Sequence, residues 1–157
     1  MAGNELQKDF KREVAMLQRD IEMLADGTTA VVGTKEDPIV TNSELIPIKH
    51  YFMDGVYIRE MTMKKGIAVV GAVHKHLHMC FLLTGRVTVV NEEETVDHIA
   101  PCFIISTPGI KRVLYAHEDS IWFNTHKNPS NTDDVKQLEK EIVAISYEEY
   151  EEYIKNK

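Results

Sequence analysis

Apolar residues near the start of the chain recur with the period of an α-helix. They follow one another at alternating steps of four and three, with charged residues between them: Phe10, Val14, Leu17, Ile21 and Leu24. This spacing predicts one apolar stripe along a helix over residues 5–25, within an N-terminal segment 1–27 that ends at Asp26-Gly27. The stripe would pack either on the protein's own domain or against a second subunit, and the sequence favours neither.

Residues 48–128 have the shorter period of β-strands. Short apolar or alternating runs are separated by turn sequences: Asp54-Gly55, the EEET stretch from Glu92, Pro108-Gly109 and Glu118-Asp119. No helical period intervenes, so a β-sandwich or β-barrel is predicted over these residues. Residues 28–47 contain β-branched runs interrupted by Gly33 and by Asp37-Pro38, which indicates an arm or an edge strand.

A helical period returns in an acidic tail, residues 129–157. Thr132 can cap a helix whose first turn carries Asp133 and Asp134, as the helix dipole favours. Ser146, with Glu149 three residues later, has the capping-box pattern and predicts a second helix over YEEYEEYIK. The chain is therefore predicted to be mainly β, with helical segments before and after the barrel.

Charge and cysteine content narrow the partners that this chain could have. Its net charge of −7 argues against a basic face for duplex nucleic acid, and no segment is apolar enough to span a membrane. Cys80 and Cys102 lie in apolar runs and are expected to be reduced, while the N-terminus lacks an apolar signal core. We therefore expect a cytoplasmic protein that binds neither duplex nucleic acid nor membranes.

The stretch VHKHLHMCFLLTG contains three histidines at every second residue, His74, His76 and His78. On a β-strand all three point to one face, because successive side chains alternate. Facing a cavity they could bind a divalent metal such as Fe, Mn, Zn or Ni, and facing solvent they would be ordinary polar residues. The remaining histidines lie near predicted turns or strand ends, where a solvated or capping role is favoured: His50, His98, His117 and His126.

Two stretches resemble the conserved motifs of the cupins, a superfamily of small jelly-roll barrels. HKHLHMCFLLTGRVTVV is similar to the first motif, in which an H-x-H pair is followed by a Glu or His, six residues and a glycine, here His78 and Gly85. APCFIISTPGIKRV is similar to the second motif, with Gly109 as its glycine. The resemblance covers residues 50–126 and implies a cupin jelly-roll barrel with an N-terminal helix and a C-terminal helical tail. It implies that the three histidines face the barrel cavity.

The sequence departs from the cupin pattern at two positions. Only Leu77 separates His76 from His78, which is two residues fewer than the motif has, so either the hairpin is tighter or only two histidines occupy ligand positions. Arg112 stands where the second motif has a histidine, and a guanidinium has no lone pair for a metal. An arginine there favours a carboxylate or phosphate ligand instead.

A second resemblance is narrower. TPGIKRVLYAHEDSIWFNTH and the acidic stretch DDVKQLEKEIVAISYEEY are similar to small cupin-like barrels encoded by tailed bacteriophages. This resemblance implies a viral origin, and hence the host cytoplasm, without implying an activity.

Three functions follow as hypotheses. In the first, the barrel binds a small anionic or nucleotide-like ligand, such as a host metabolite or signal, without redox chemistry. Its pocket would be lined by His74, His76, His78, Arg86 and Arg112, with Tyr57, Tyr115 and Trp122 available for stacking. In the second, His74, His76 and His78 bind a metal in an isomerase or dioxygenase of the cupin type. In the third, the barrel has a structural role as a homodimer or higher homo-oligomer assembled through the N-terminal helix and the acidic tail. The sequence ranks them in this order.

Overall fold

The computed structural model describes residues 12–17, 19–21, 23, 29–38 and 43–157. Those described between residues 12 and 23 are helical and form α1, as the apolar stripe predicts. Val14 of this stripe is buried, whereas Leu17 is exposed. Three features of the prediction lie outside the described residues: Phe10, Leu24 and the end of the helix at Asp26-Gly27.

Within the described residues, ten strands form two five-stranded sheets. Sheet I contains, in spatial order, β1 (Ala30–Val32), β4 (Ala68–Val70), β10 (Val113–Ala116), β7 (Arg86–Val90) and β8 (Thr95–Ile99). Sheet II contains β2 (Ile48–Met53), β3 (Val56–Met63), β11 (Ser120–Lys127), β6 (His78–Thr84) and β9 (Cys102–Ser106). Neighbouring strands are antiparallel except β1, which runs parallel to β4. The mainly β jelly-roll prediction is confirmed.

The hydrophobic core lies between these sheets. Sheet II contributes Met61, Leu82 and Trp122, which pack in one cluster with residues of sheet I such as Val87 and Leu114. These side chains occupy alternate positions of their strands, which is why one face of each sheet is buried. Removing this apolar surface from water is the main source of stability for such a barrel. The turn at Gly85 leads the chain from β6 in sheet II to β7 in sheet I.

The C-terminal residues pack onto the barrel. Helix α2 (Val135–Ile142) is followed by the short strand β12 (Val143–Ala144), which pairs antiparallel with β5 (Val73–His74). Leu138 and Ile142 of α2 are buried in a second hydrophobic cluster that includes Tyr57 of β3. The tail therefore covers one region of the barrel, next to the first of the predicted site histidines.

Side chains at the helix starts determine where the C-terminal helices begin. The N-cap of α2 is Asp134, whose carboxylate accepts hydrogen bonds from the amides of Lys136 and Gln137, rather than the predicted Thr132. Ser146 caps α3 (Tyr147–Lys155) as predicted and accepts from the amide of Glu149. Across the residues that the structure describes, no helix is long and apolar enough to cross a bilayer.

Candidate metal centre

The run of three alternating histidines is not one continuous strand. Strand β5 ends at His74, residues 75–77 form a bend, and β6 begins at His78. His76 therefore turns away, and its Nε2 lies 3.0 Å from the carbonyl oxygen of Glu141. The expectation that all three histidines share one face was wrong for His76, because the bend breaks the alternation on which it rested. The structure brings only His74 and His78 of the three together.

His126, and not the predicted His76, is the third histidine of the cluster. The ring centroid of His126 lies 4.4 Å from that of His78 and 5.2 Å from that of His74. The centroids of His74 and His78 are 4.1 Å apart. One ring nitrogen from each residue lies within 4.8 Å of the other two, and all three side chains are buried. The predicted solvated role of His126 was wrong, because β11 continues to Lys127, which pairs with Val56.

Each residue of this three-histidine cluster has a ring nitrogen without a hydrogen-bond partner among the described residues. These atoms are Nδ1 of His74, Nε2 of His78 and Nε2 of His126. Buried polar atoms are nearly always hydrogen-bonded, so three orphaned nitrogens in one cluster require an explanation. A metal ion bound by the three imidazoles would satisfy such atoms.

The tautomer of His78 is determined by the backbone beside it. Its Nδ1 lies 3.2 Å from the carbonyl oxygen of His76. A carbonyl oxygen can only accept, so Nδ1 carries the proton and Nε2 keeps its lone pair. Metal-binding histidines are commonly oriented through such a hydrogen bond from the second ring nitrogen. His76 thus contributes to the cluster through its main chain.

Burial keeps the three imidazoles neutral. It lowers the pKa of His74 and of His126 well below the usual value, and neighbouring histidines and the guanidinium of Arg59 act in the same direction. The pKa of His78 is lowered to about 4, chiefly by burial. Neutral imidazole is the form that binds metals, so these environments suit the donor set of Zn, Fe, Mn or Ni.

A polar layer lies next to the histidines on the inner face of sheet II. Asn124 of β11 is paired with Arg59 of β3 on one side and with Cys80 of β6 on the other. The Cys80 thiol donates to Asn124 Oδ1 at 3.2 Å, and Trp122 Nε1 donates to the same oxygen at 3.1 Å. Arg112, from the loop before β10, donates through Nη1 to the sulfur of Cys80 at 3.6 Å.

A small cavity lies beside this layer. Its volume is about 40 Å³, and its wall includes His74, Arg59, Arg112, Trp122 and Asn124. A water molecule requires roughly 10–15 Å³ measured in this way. The cavity therefore has room for a few non-hydrogen atoms next to the histidine cluster.

The predicted pocket residues divide into two groups. His74, Arg112 and Trp122 line the cavity, and His78 belongs to the cluster beside it. Arg86 and Tyr115 lie elsewhere: the Arg86 guanidinium forms an ion pair with Asp97, and Tyr115 is 43% exposed. Their positions correct the prediction, because both side chains alternate to the outer face of sheet I.

Three residues of the site were missed from the sequence, namely Arg59, Asn124 and His126. Every second side chain of β3 and of β11 points inward. Asn124 and His126 lie on the same face of β11 as Trp122, and Arg59 lies on the same face of β3 as Met61. The sequence did contain a pattern that indicates these residues. The apolar Trp122 and Met61 mark the inner face of their strands, and counting in steps of two from them gives the polar residues of the site.

Two features identify the architecture. They are the strand order of the two sheets and the position of the histidines on an inner face of the barrel. The chain has a cupin fold. No family model matches the sequence, and comparison with curated proteins finds no match either.

Solved structures similar to this cupin barrel have little sequence in common with it. The plu4264 protein from Photorhabdus luminescens has a TM-score of 0.50 at 10% identity, covering 61% of this chain and 87% of its own. An RmlC-like cupin from Shewanella frigidimarina has a TM-score of 0.49 at 17% identity, covering 58% and 82%. A Cupin 2 conserved barrel domain protein from Salinispora arenicola has a TM-score of 0.47 at 12% identity, covering 61% and 84%. At these identities the similarity concerns the fold alone.

Proposed function

We propose that this cupin is a metal-dependent enzyme that binds a divalent transition metal through His74, His78 and His126 and acts on a small molecule in the adjoining cavity. The observation that carries the proposal is the set of three buried ring nitrogens without hydrogen-bond partners among the described residues. Three neutral imidazoles are a donor set that such metals accept. They also leave coordination positions for a ligand, as catalytic metal sites do.

Other groups of the protein would orient the ligands of such a site and shield it from water. His78 is held in the required tautomer by the His76 carbonyl, and Trp122 and Met61 form an apolar wall that limits the entry of water. A bound metal would act as a Lewis acid towards an oxygen atom of the substrate. Isomerase or dioxygenase chemistry is the class proposed from the sequence, and the three-histidine site is compatible with both.

A second candidate function is the binding of a small anion without a metal. Arg59 and Arg112 are buried close to the histidines, and both positive charges lower the pKa of His74 and His78. The same charges raise the free energy of a bound divalent cation, because like charges repel strongly where solvent screening is weak. Sequestration of a host metabolite or signal would fall in this class.

Metal content distinguishes the two functions. Protein purified without an affinity tag and without added metal would be analysed by inductively coupled plasma mass spectrometry, before and after dialysis against Fe, Mn, Zn and Ni. We expect one metal ion per chain in the wild type and a loss of at least tenfold in His126→Ala. His76→Ala is the matched control and should keep its metal, since its side chain faces Glu141. Absence of metal from the wild type after dialysis would contradict the metal enzyme and leave anion binding as the function.

A further inference from the structure

Two guanidinium groups are buried in the wall of one small cavity. Arg59 is 9% exposed on β3, and Arg112 is 5% exposed in the loop that precedes β10. Both line the cavity beside His74. In the part of the chain that the structure describes, Nε of Arg59 and Nε of Arg112 have no hydrogen-bond partner.

A buried positive charge is costly unless a negative charge lies against it. Removing a charged group from water costs several kcal/mol even after the protein relaxes, on the order of the stability of a whole domain. Glu139 and Asp37 attract the Arg59 guanidinium, yet burial still lowers the pKa of this group.

Cys80 adds no negative charge to the cavity. Its sulfur accepts a hydrogen bond from Arg112 and its thiol donates to Asn124, so it is a neutral thiol in this arrangement. Burial raises the pKa of Cys80, in spite of the two nearby guanidiniums. Two buried guanidinium groups therefore line the same cavity, each with an Nε that has no hydrogen-bond partner among the described residues.

We propose that Arg59 and Arg112 together bind the carboxylate of a small organic acid, the substrate of the metal site described above. The planar fork of a guanidinium matches the two oxygens of a carboxylate, and charge-assisted bonds of this kind are strong in a buried site. A carboxylate held there lies beside His74, so the rest of the molecule extends towards the histidine cluster. The assignment of this acid as the substrate rests on the proposed function, whereas binding of the carboxylate requires only the two arginines.

The size of the cavity limits the acid. Pockets for drug-sized ligands measure about 300–1,000 Å³, whereas this cavity measures about 40 Å³. A nucleotide-like ligand, which the sequence suggested, exceeds that volume by far. A short monocarboxylic acid is small enough for this volume and brings a negative charge to the two guanidiniums.

The only tryptophan of the chain provides a direct readout. Trp122 lines the cavity, so its fluorescence reports on ligands that enter it. The full-length protein, stripped of metal with a chelator, would be titrated with acetate and with pyruvate, against potassium chloride at equal ionic strength. We expect a saturable change with the two carboxylates and none with chloride. The absence of a saturable change with both carboxylates would overturn the proposal.

Arginine variants test which groups are responsible. Arg59→Gln and Arg112→Gln should each weaken carboxylate binding by at least tenfold, whereas the exposed Arg86→Gln should bind as the wild type does. Unchanged affinity in either cavity variant would overturn the pairing of the two arginines. Should a Gln variant fail to fold, Arg59→Lys and Arg112→Lys keep the charge but lose the bidentate fork, and a loss of affinity is again expected. Inorganic phosphate binding as tightly as acetate would overturn the carboxylate class.

Failure of this proposal is separable from failure of the metal site. His126→Ala should lose its metal while the metal-free protein still binds acetate. Arg112→Gln should lose acetate binding while it still takes up metal. If neither acetate nor pyruvate binds but metal is retained, the carboxylate site is wrong and the metal centre stands. If acetate binds and metal does not, the metal centre is wrong and the carboxylate site stands.

Discussion

The imidazole rings of His78 and His126 lie stacked 4.4 Å apart on neighbouring strands of sheet II, at an interplanar angle of 28°. Each ring has an Nε2 atom without a hydrogen-bond partner among the described residues. Burial keeps both rings neutral, so they can lie this close without the repulsion that two imidazolium ions would have. The pair thus presents two neutral rings, each with one available nitrogen, to a single ion.

Metal should therefore stabilise the folded protein. A ligand that binds only the native state adds about 2.7 kcal/mol at a free concentration one hundred times its Kd. We expect the thermal midpoint of the wild type, followed by circular dichroism, to rise when the metal identified by mass spectrometry is added. His78→Ala should show no rise, while His117→Ala, whose ring contacts Thr88 on sheet I, should behave as the wild type. An equal rise in His78→Ala would place the metal elsewhere.

Two glycines with the same backbone conformation should differ in their tolerance of a side chain. Gly85 and Gly66 have φ angles of +85° and +86°, which L-residues adopt only at a cost. A Cβ at Gly66 meets nothing within 4 Å, whereas at Gly85 it would lie 2.6 Å from the carbonyl oxygen of Asp119. Gly66→Ala should cost about 1 kcal/mol and Gly85→Ala about 3 kcal/mol or more, because only the latter also forces the backbone to move. Urea denaturation of the two variants compares them directly, and equal costs would contradict the predicted clash.

The packing of the tail can be tested at one leucine. Leu138 of α2 is buried against the cluster that contains Tyr57 and Ile142. Leu138→Ala should lower the free energy of unfolding by about 2–5 kcal/mol, the range for buried leucines. Ile154→Ala on α3 is the control, because its side chain is exposed and should change stability by less than about 0.5 kcal/mol. Equal effects in urea denaturation would show that α2 does not pack as described.

A pH-dependent contribution comes from the outer face of sheet II. The Tyr51 hydroxyl donates to Glu60 Oε2 at 2.5 Å, and Lys49 donates to Oε1 at 3.0 Å; these bonds lower the pKa of Glu60 below 4.5. Because the folded-state pKa is the lower one, the contribution is fully present above pH 4.5 and is lost as pH falls through the folded value. Tyr51→Phe should raise the Glu60 pKa measured by NMR titration towards 4.5, while Tyr115→Phe on sheet I should leave it unchanged. A Glu60 pKa that does not move in Tyr51→Phe would contradict the hydrogen bond.

The fold could be predicted from the sequence because the residues that indicate its turns and helix starts are close together in the chain. The turn at Asp54-Gly55 joins β2 to β3 as predicted, and Ser146 begins the last helix. The two cupin-like motifs also identify strand β6, which carries His78, and the loop before β10, which carries Arg112. Such features depend on the spacing of neighbouring residues, which a sequence states directly.

The site was predicted less well because it depends on contacts between distant segments. His76 leaves the cluster because residues 140–142 bind the bend at 75–77: Lys75 Nζ donates to the Lys140 carbonyl and the Lys75 amide to that of Ile142. No periodicity in VHKHLH indicates such a contact. His126 was missed for a related reason, since the end of β11 is determined by its pairing with β3 rather than by its own residues.

The pairing of β12 with β5 also ties the histidine cluster to a segment outside both sheets. His74 is paired with Val143, whereas His78 and His126 lie on β6 and β11 of sheet II. The two five-stranded sheets contain no residue after Lys127. One of the three imidazoles is thus positioned by the tail and the other two by the barrel, so a substitution in residues 140–144 acts on the cluster without touching either sheet.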